Sequence, residues 1–188
     1  MDVSDLKGLF AEVNKRMNAA NDHLKHELAS VRTGRATTGI LDPVQVEAYG
    51  SRMPLNQLAN LSIPEPTMIV AQPFDPSQLG AIEKAIRASD LGLNPTNDGK
   101  VVRVPIPSLT EERRKELSRH VHKQAEEGRN VVRQVRRDAN DRLKKLLKEH
   151  KISEDDERKG LETIQKTTDE HIKSIDELQK KKDAELLG

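Results

Sequence analysis

Residues 104–147, VPIPSLTEERRKELSRHVHKQAEEGRNVVRQVRRDANDRLKKLL, decide the fold. The stretch opens on Pro105-Ile106-Pro107, whose two prolines hold the entering backbone extended. Ser108 and Thr110 both qualify as an N-cap. Glu111 and Glu112 then stand in the first turn, where the positive end of the helix dipole favours acids. Leu117, Val121, Ala125, Gly128, Val132, Val135, Ala139, Leu143 and Leu146 recur in steps of three and four, close to the helical repeat. The spacing predicts one uninterrupted helix of about forty residues, roughly 60 Å long. A stripe of that length must be covered along all of it, so the neighbouring segments should supply long helices as well.

They do. Residues 4–33 carry Leu6, Phe10, Val13, Met17, Ala20, Leu24, Leu28 and Val31 at the same spacing, with Thr33-Gly34 expected to end the helix. On the other side, Lys151-Ile152-Ser153 forms a short link. Ser153 and the acids Glu154 to Glu157 start a third helix, striped by Leu161, Ile164, Ile172, Ile175, Leu178 and Leu186. A short link makes the second and third helices antiparallel, and the first completes a three-helix bundle.

The segment between the first two helices has another composition. All nine prolines lie from Pro43 to Pro107, and residues 34–106 hold only 13 of the 63 charged side chains. Helix interiors exclude proline, so a separate domain is inserted here. Residues 44–49 alternate as a strand should, with Gly50-Ser51 as its turn. Ile63, residues 68–71 and residues 101–104 read as further strands, and Asn97-Asp98-Gly99 as a turn. Asp75 caps a helix that runs to Asp90. The expected fold class is α+β: an elongated antiparallel three-helix bundle (1–33 and 104–188) with a small inserted β/α/β domain (34–103). The two crossings make a hinged molecule, a rod and a compact head joined by a flexible elbow, with the hinge at Thr33, Gly34, Pro105 and Pro107.

Charge points towards function. The net charge is only +1 although 34% of residues are charged, so any anion-binding surface must arise from local zoning. On a helical wheel Lys115, Arg119, His122, Arg129, Arg133, Arg136, Arg137 and Lys144 share one arc, interrupted only by Glu126. Residues 109–151 carry 14 basic against 8 acidic side chains, and 152–188 carry 7 against 11. Two readings follow. Either the arc faces a phosphate backbone, or the acids of the third helix neutralise it inside the bundle. Aromatics are 2% of the chain (Phe10, Tyr49, Phe74), which leaves no platform for stacking single-stranded bases.

Catalytic constellations do not assemble. Residues 92–100, GLNPTNDGK, have the wrong glycine spacing for a phosphate loop, and Val101 stands where a magnesium-binding hydroxyl is needed. His23 with His26, and His120 with His122, lack a third ligand. No cysteine is present, so thiolate chemistry and disulfides are excluded. No stretch is apolar enough to span a bilayer, and the N-terminus has no signal pattern; a cytoplasmic protein is expected.

Five strings carry a resemblance: Arg32-Thr33-Gly34-Arg35-Ala36; Ala88-Ser89-Asp90-Leu91-Gly92-Leu93-Asn94-Pro95; Arg103-Val104-Pro105-Ile106-Pro107 with Leu109-Thr110-Glu111-Glu112-Arg113-Arg114; Val135-Arg136-Arg137-Asp138-Ala139-Asn140-Asp141; and Ile152-Ser153-Glu154-Asp155-Asp156. In this order, across the whole chain, they resemble the ribosome recycling factor family. The resemblance implies an L-shaped, non-enzymatic, monomeric translation factor that binds across the A and P sites of the large ribosomal subunit. With elongation factor G, which uses the GTP, it splits the post-termination complex and frees messenger and transfer RNA. It implies no cofactor or metal of its own, no DNA and no membrane.

Carried onto these positions, the family's rRNA contacts fall first on Arg136, then on Arg133, Arg129, Arg114 and Arg137, with Arg32 and Arg35 flanking Gly34. His122 departs from the pattern, which has a basic residue there more often, so whether His122 and Lys115 belong to the tract stays open. The inserted domain is expected to face elongation factor G. The competing readings are a helical scaffold or chaperone that buries a partner's helix, and a ribosome-associated stalling factor that binds without splitting.

Overall fold

The computed structural model describes residues 4–187. Four helices and six short strands follow in the order α1 (Leu6–Ala29), β1 (Gln45–Ala48), β2 (Ser51–Pro54), β3 (Ala59–Glu65), β4 (Met68–Pro73), α2 (Leu79–Ala88), β5 (Thr96–Asn97), β6 (Val102–Pro105), α3 (Glu111–Lys148) and α4 (Glu154–Leu187). They form two compact units, one of residues up to Arg32 with Glu111 onward, the other Thr33–Thr110.

In the helical unit, α1, α3 and α4 all pack on one another. Pairings fix their directions. Gln124 on α3 donates to Glu27 on α1 at 3.1 Å, and Gly128 lies against Leu24, so α1 and α3 are antiparallel. Ser118 meets Asp183 whereas Leu143 meets Gly160, so α3 and α4 are antiparallel too. Val121, Ala125, Val132, Val135, Ala139, Leu143 and Leu146 are the buried face of α3, seven of the nine stripe positions read from sequence. On α4 the stripe is displaced. Gly160 and Thr168 are buried, while Leu161, Ile172 and Leu178 are only half-buried. Apolar periodicity overlooks small and polar seam residues. Thr168 enters the seam because its hydroxyl donates to the Ile164 carbonyl of its own helix at 2.7 Å.

The two seam glycines behave differently. A Cβ on Gly128 would sit 3.5 Å from Ile175 and 3.6 Å from Leu24, ordinary contact distances. One on Gly160 would come within 3.0 Å of both Leu143 methyls, and Leu143 is fully buried. Gly128→Ala should therefore raise stability by about 0.5–1 kcal/mol through helix propensity. In Gly160→Ala the same gain is offset by crowding of about 1–3 kcal/mol, for a net loss. Denaturant midpoints of the two variants should move in opposite directions.

Helix ends correct several sequence boundaries. The first helix stops at Ala29, not at Thr33-Gly34: the Ser30 hydroxyl donates to Glu27 O at 2.7 Å, its N–H closes on Glu27 and Leu28, and Val31 N bonds Leu28 O. Gly34 nonetheless has a φ of +77°, within the linker. At the start of α4, Ser153 Oγ accepts from Asp156 N at 3.1 Å and Ser153 N donates in turn to Asp156 Oδ2 at 3.0 Å, a reciprocal cap. The Ser153 bonds hold the Asp156 carboxyl below its usual range.

The second unit holds a two-stranded sheet, β1-β2, and an antiparallel four-stranded sheet in the order β3-β4-β6-β5. Val46, Leu55, Ile69, Ala71, Ile82, Ile86, Val102 and Val104 belong to its core. The hairpin turn is Tyr49-Gly50, one residue earlier than the spacing predicts. Ala48 pairs with Ser51, and both turn residues have positive φ, 51° and 75°, which matches the twist of a two-residue loop. Sequence reading missed β2 and the two-residue β5. The helix expected from Asp75 begins only at Leu79; Asp75 caps a preceding 3-10 turn, Pro76–Gln78.

The second boundary also differs from the sequence expectation, because residues 104–110 go with the sheet unit. β6 reaches Pro105, opposite Met68, and Ile106 N donates to Thr67 O at 2.7 Å. At the β5–β6 turn, backbone N–H groups of Val101 and Lys100 bond Asp98 and lower its carboxyl from 3.8 to about 2. A lowered carboxyl stabilises the fold above its unfolded value and loses that contribution on protonation. The turn's contribution should thus be complete above about pH 4 and fade as pH falls towards 2. Acid unfolding of Asp98→Asn, followed by strand-sensitive circular dichroism, should lack that component.

Candidate nucleic-acid interface

The helical repeat of α3 brings the sequence-predicted arginines Arg129, Arg133, Arg136 and Arg137 onto consecutive turns, but their surroundings differ. Arg129 is tied down. Its Nε donates to Asp176 Oδ1 at 2.9 Å, Nη1 to Glu126 at 3.0 Å and Nη2 to Gln179, and only 16% of the side chain is exposed. Burial works against its charge, and the bonds to Asp176 and Glu126 outweigh that, so its pKa is raised. Arg129 is a strut between α3 and α4.

Arg133 is intermediate. It donates to Glu126 at 2.9 Å and to Asn130 at 3.3 Å, with 38% of the side chain exposed. Bonds from Arg133, then from Arg129, pull the Glu126 carboxyl below its usual range, so this acid stays ionised and offsets both cations. Arg136 and Arg137 are different again. Arg136 Nη1 meets the neutral Gln165 Oε1 at 3.4 Å, and Arg137 Nη2 the neutral Gln134 Oε1 at 2.7 Å. Neither makes an ion pair among the described residues.

The arc read from sequence therefore splits along its length. Lys115 pairs with Glu111 at 2.9 Å, and His122 lies 2.7 Å from Asp183 Oδ2, whose other oxygen accepts from Ser118. With Arg129 held by Asp176 as well as by Glu126, the N-terminal part of the arc is partnered by acids, Glu111 and Glu126 on α3 itself and Asp176 and Asp183 on α4. The C-terminal part, Arg136, Arg137 and Lys144, meets no carboxylate among the described residues. Wheel geometry alone missed this division, because two of the acids responsible, Asp176 and Asp183, sit on another helix.

Of the remaining predicted contacts, Arg114 is half-buried and lies about 33 Å along the helix from Arg136. Its Nε is buried without a hydrogen-bond partner. Arg32 and Arg35 are both exposed, and they fall in different units. Among the predicted hinge residues, Pro105 is the last residue of β6, in register opposite Met68. Thr33, Gly34 and Pro107 lie outside regular elements. A Cβ on Gly34 would stand 3.3 Å from Leu109 Cγ, a close approach of the two crossings inside the sheet unit. Among the described residues no group of three or more His, Asp or Glu could hold a metal ion, and no helix is long and apolar enough to cross a membrane.

Residues 24–187 match the family model described as ribosome recycling factor. The ribosome-recycling factor of Rubrobacter xylanophilus is 51% identical over 186 residues, covering 99% of this chain and 98% of that one. That of Nitrobacter winogradskyi is 55% identical over 157 residues, covering 84% and 80%. A solution structure of a ribosome recycling factor superposes with a TM-score of 0.76 at 44% identity, covering 98% of each chain. The T. thermophilus ribosome recycling factor, in a structure described as models for that factor and E. coli elongation factor G bound to the E. coli post-termination complex, superposes at 0.64 with 50% identity, covering 97% and 99%.

A three-helix bundle with an inserted sheet unit, matched over nearly the whole chain by these structures and relatives, places the chain in the class of translation factors that act on the ribosome. The chain belongs to the ribosome recycling factor family.

Proposed function

We propose that this chain binds the post-termination ribosome and, together with elongation factor G and the GTP that partner hydrolyses, separates the subunits and releases messenger and transfer RNA. The observation that carries this reading is end-to-end similarity. A relative and two structures span nearly the whole chain, and one of those structures is described as models for the factor and elongation factor G bound to a post-termination complex. The protein acts in the cytoplasm as a monomer.

Large-subunit rRNA is gripped through phosphate and shape by the open end of the α3 tract. Arg136 and Arg137 lead, Lys144 extends them towards the helix C-terminus, and Arg133 contributes in part. Arg32, Arg35 and Arg114 are secondary contacts. Arg129 acts indirectly, by keeping α3 and α4 in register. The units pivot about residues 30–35 and 107–110, because the stretch between is fastened to the β3–β4 hairpin: Ala36 N donates to Pro66 O and Ile106 N to Thr67 O, both at 2.7 Å.

The test is light scattering of post-termination ribosomes mixed with the protein, elongation factor G and GTP. Scattering should fall as subunits part, and only when all three are present. Binding without a fall would identify a stalling factor, and absence of ribosome binding would leave the scaffold reading.

A further inference from the structure

The chain has three aromatic residues, and two of them are exposed together. Tyr49, at the β1–β2 turn, is 66% exposed, and Phe74, just after β4, is 68% exposed. Burial of such rings is strongly favourable, so two left in water at one end of a small unit need an explanation. They are neighbours through Asp75: the Tyr49 hydroxyl donates to Asp75 Oδ2 at 2.6 Å, and Asp75 follows Phe74 directly. This is the Pro73 end of β4, opposite the Met68 end that carries both crossings.

The charge at this end is uncompensated. The other Asp75 oxygen accepts from Ser77 N at 3.0 Å and Ser77 Oγ at 2.8 Å, so all its partners are neutral, and it makes no ion pair among the described residues. Hydrogen bonds from Tyr49, then from Ser77, hold the carboxyl below its usual range, so it is ionised throughout the neutral region. A fixed carboxylate beside two aromatic rings, whose faces are electron-rich, attracts a guanidinium or ammonium group. The same arrangement repels phosphate. Its chemistry is thus the reverse of the α3 tract.

We propose that Tyr49, Phe74 and Asp75 form a receptor for an arginine or lysine side chain presented by a protein on the ribosome. The proposal rests on the recycling reading and adds a second contact to it, protein-facing rather than RNA-facing. Tyr49 and Phe74 supply the ring faces and apolar contact. Asp75 supplies the counter-charge, and the Tyr49 hydroxyl fixes its direction.

The experiment is photo-cross-linking with the full chain, p-benzoylphenylalanine replacing Phe74, on post-termination ribosomes. Co-sedimentation of the same protein is measured alongside, so that failure to bind ribosomes at all is told apart from failure of this contact. The expected adduct survives ribonuclease, is destroyed by protease, and maps to a segment containing arginine or lysine. In an Asp75→Asn background the yield should fall at least fivefold. Asparagine Oδ1 still accepts both Ser77 bonds, and its Nδ2 donates to the Tyr49 hydroxyl oxygen in place of the bond that the carboxylate accepted, so the turn is retained and the charge is removed. Tyr49→Phe, which keeps the ring but frees the carboxylate, should lower the yield two- to threefold. An RNA adduct, a yield no higher than that from a probe at exposed Val131, or full yield in Asp75→Asn would overturn the proposal.

Discussion

Arg136→Glu should weaken co-sedimentation with large ribosomal subunits by at least about a hundredfold while leaving the helical circular dichroism and the denaturant midpoint unchanged. The two effects separate because of what surrounds the side chain. Arg136 has one neutral protein partner, a long 3.4 Å contact with Gln165, so the fold loses little when the guanidinium goes. Exposed contacts of that kind are worth about 0–1 kcal/mol. Against rRNA the reversal removes a phosphate contact and adds a repulsion, and charged groups at such an interface are worth about 1–3 kcal/mol each. Wild-type affinity should also fall steeply with salt, through counterion release, and Arg136→Gln should flatten that slope by about one contact.

Arg129→Gln provides the contrast. It breaks the bonds to Asp176 and Glu126 behind a side chain only 16% exposed, so stability should drop by about 1–2 kcal/mol while large-subunit affinity changes less than in Arg136→Gln. Retained binding by Arg136→Glu would remove that residue from the interface. Equal affinity losses for Arg129→Gln and Arg136→Gln would mean that the strut is also a contact.

How much of this was legible in the sequence depends on whether the cause was local. The α3 stripe was, because helical periodicity is a property of one segment, and seven of its nine positions are buried as read. The proline-rich insert was also visible, since proline excludes helix wherever it occurs. Ends fixed by side-chain bonds were less so. Nothing in the pattern of α1 shows that Ser30 turns its hydroxyl back to Glu27 and stops the helix before Thr33. The arginine tract was half legible. A wheel places the cations of α3 together, but whether each is open depends on Asp176 and Asp183, about 50 and 60 residues further on. The receptor end of the sheet unit was not legible at all. Tyr49 and Asp75 lie 26 positions apart, and their hydrogen bond arises from the hairpin and the turn after β4 meeting in space.

Two glycines inserted between Pro107 and Ser108 should lower subunit splitting in the light-scattering assay by at least tenfold and leave large-subunit affinity within about twofold of wild type. The site follows from the hydrogen bonds. Insertion before Ile106 would break its bond to Thr67 and shift β6 against β4, so a loss there would report damage to the sheet. After Pro107 no strand register is disturbed. Residue 108 lies ahead of α3, whose first helical residue is Glu111, and the helix packing is untouched.

If the α3 tract grips rRNA and elongation factor G acts on the sheet unit, the crossings transmit the push. Slack in one crossing then dissipates the stroke without altering the grip. Gly34→Ala tests the other crossing by the opposite means. Its φ of +77° disfavours a side chain, and the added Cβ meets Leu109 at 3.3 Å, so the linker should be strained rather than loosened. Splitting should fall there too, with binding retained. Were the glycine insertion to lower binding and splitting together, grip and stroke would not be divisible between the units. Were it to leave both intact, force would reach the bundle by a route that does not run through residues 107–110.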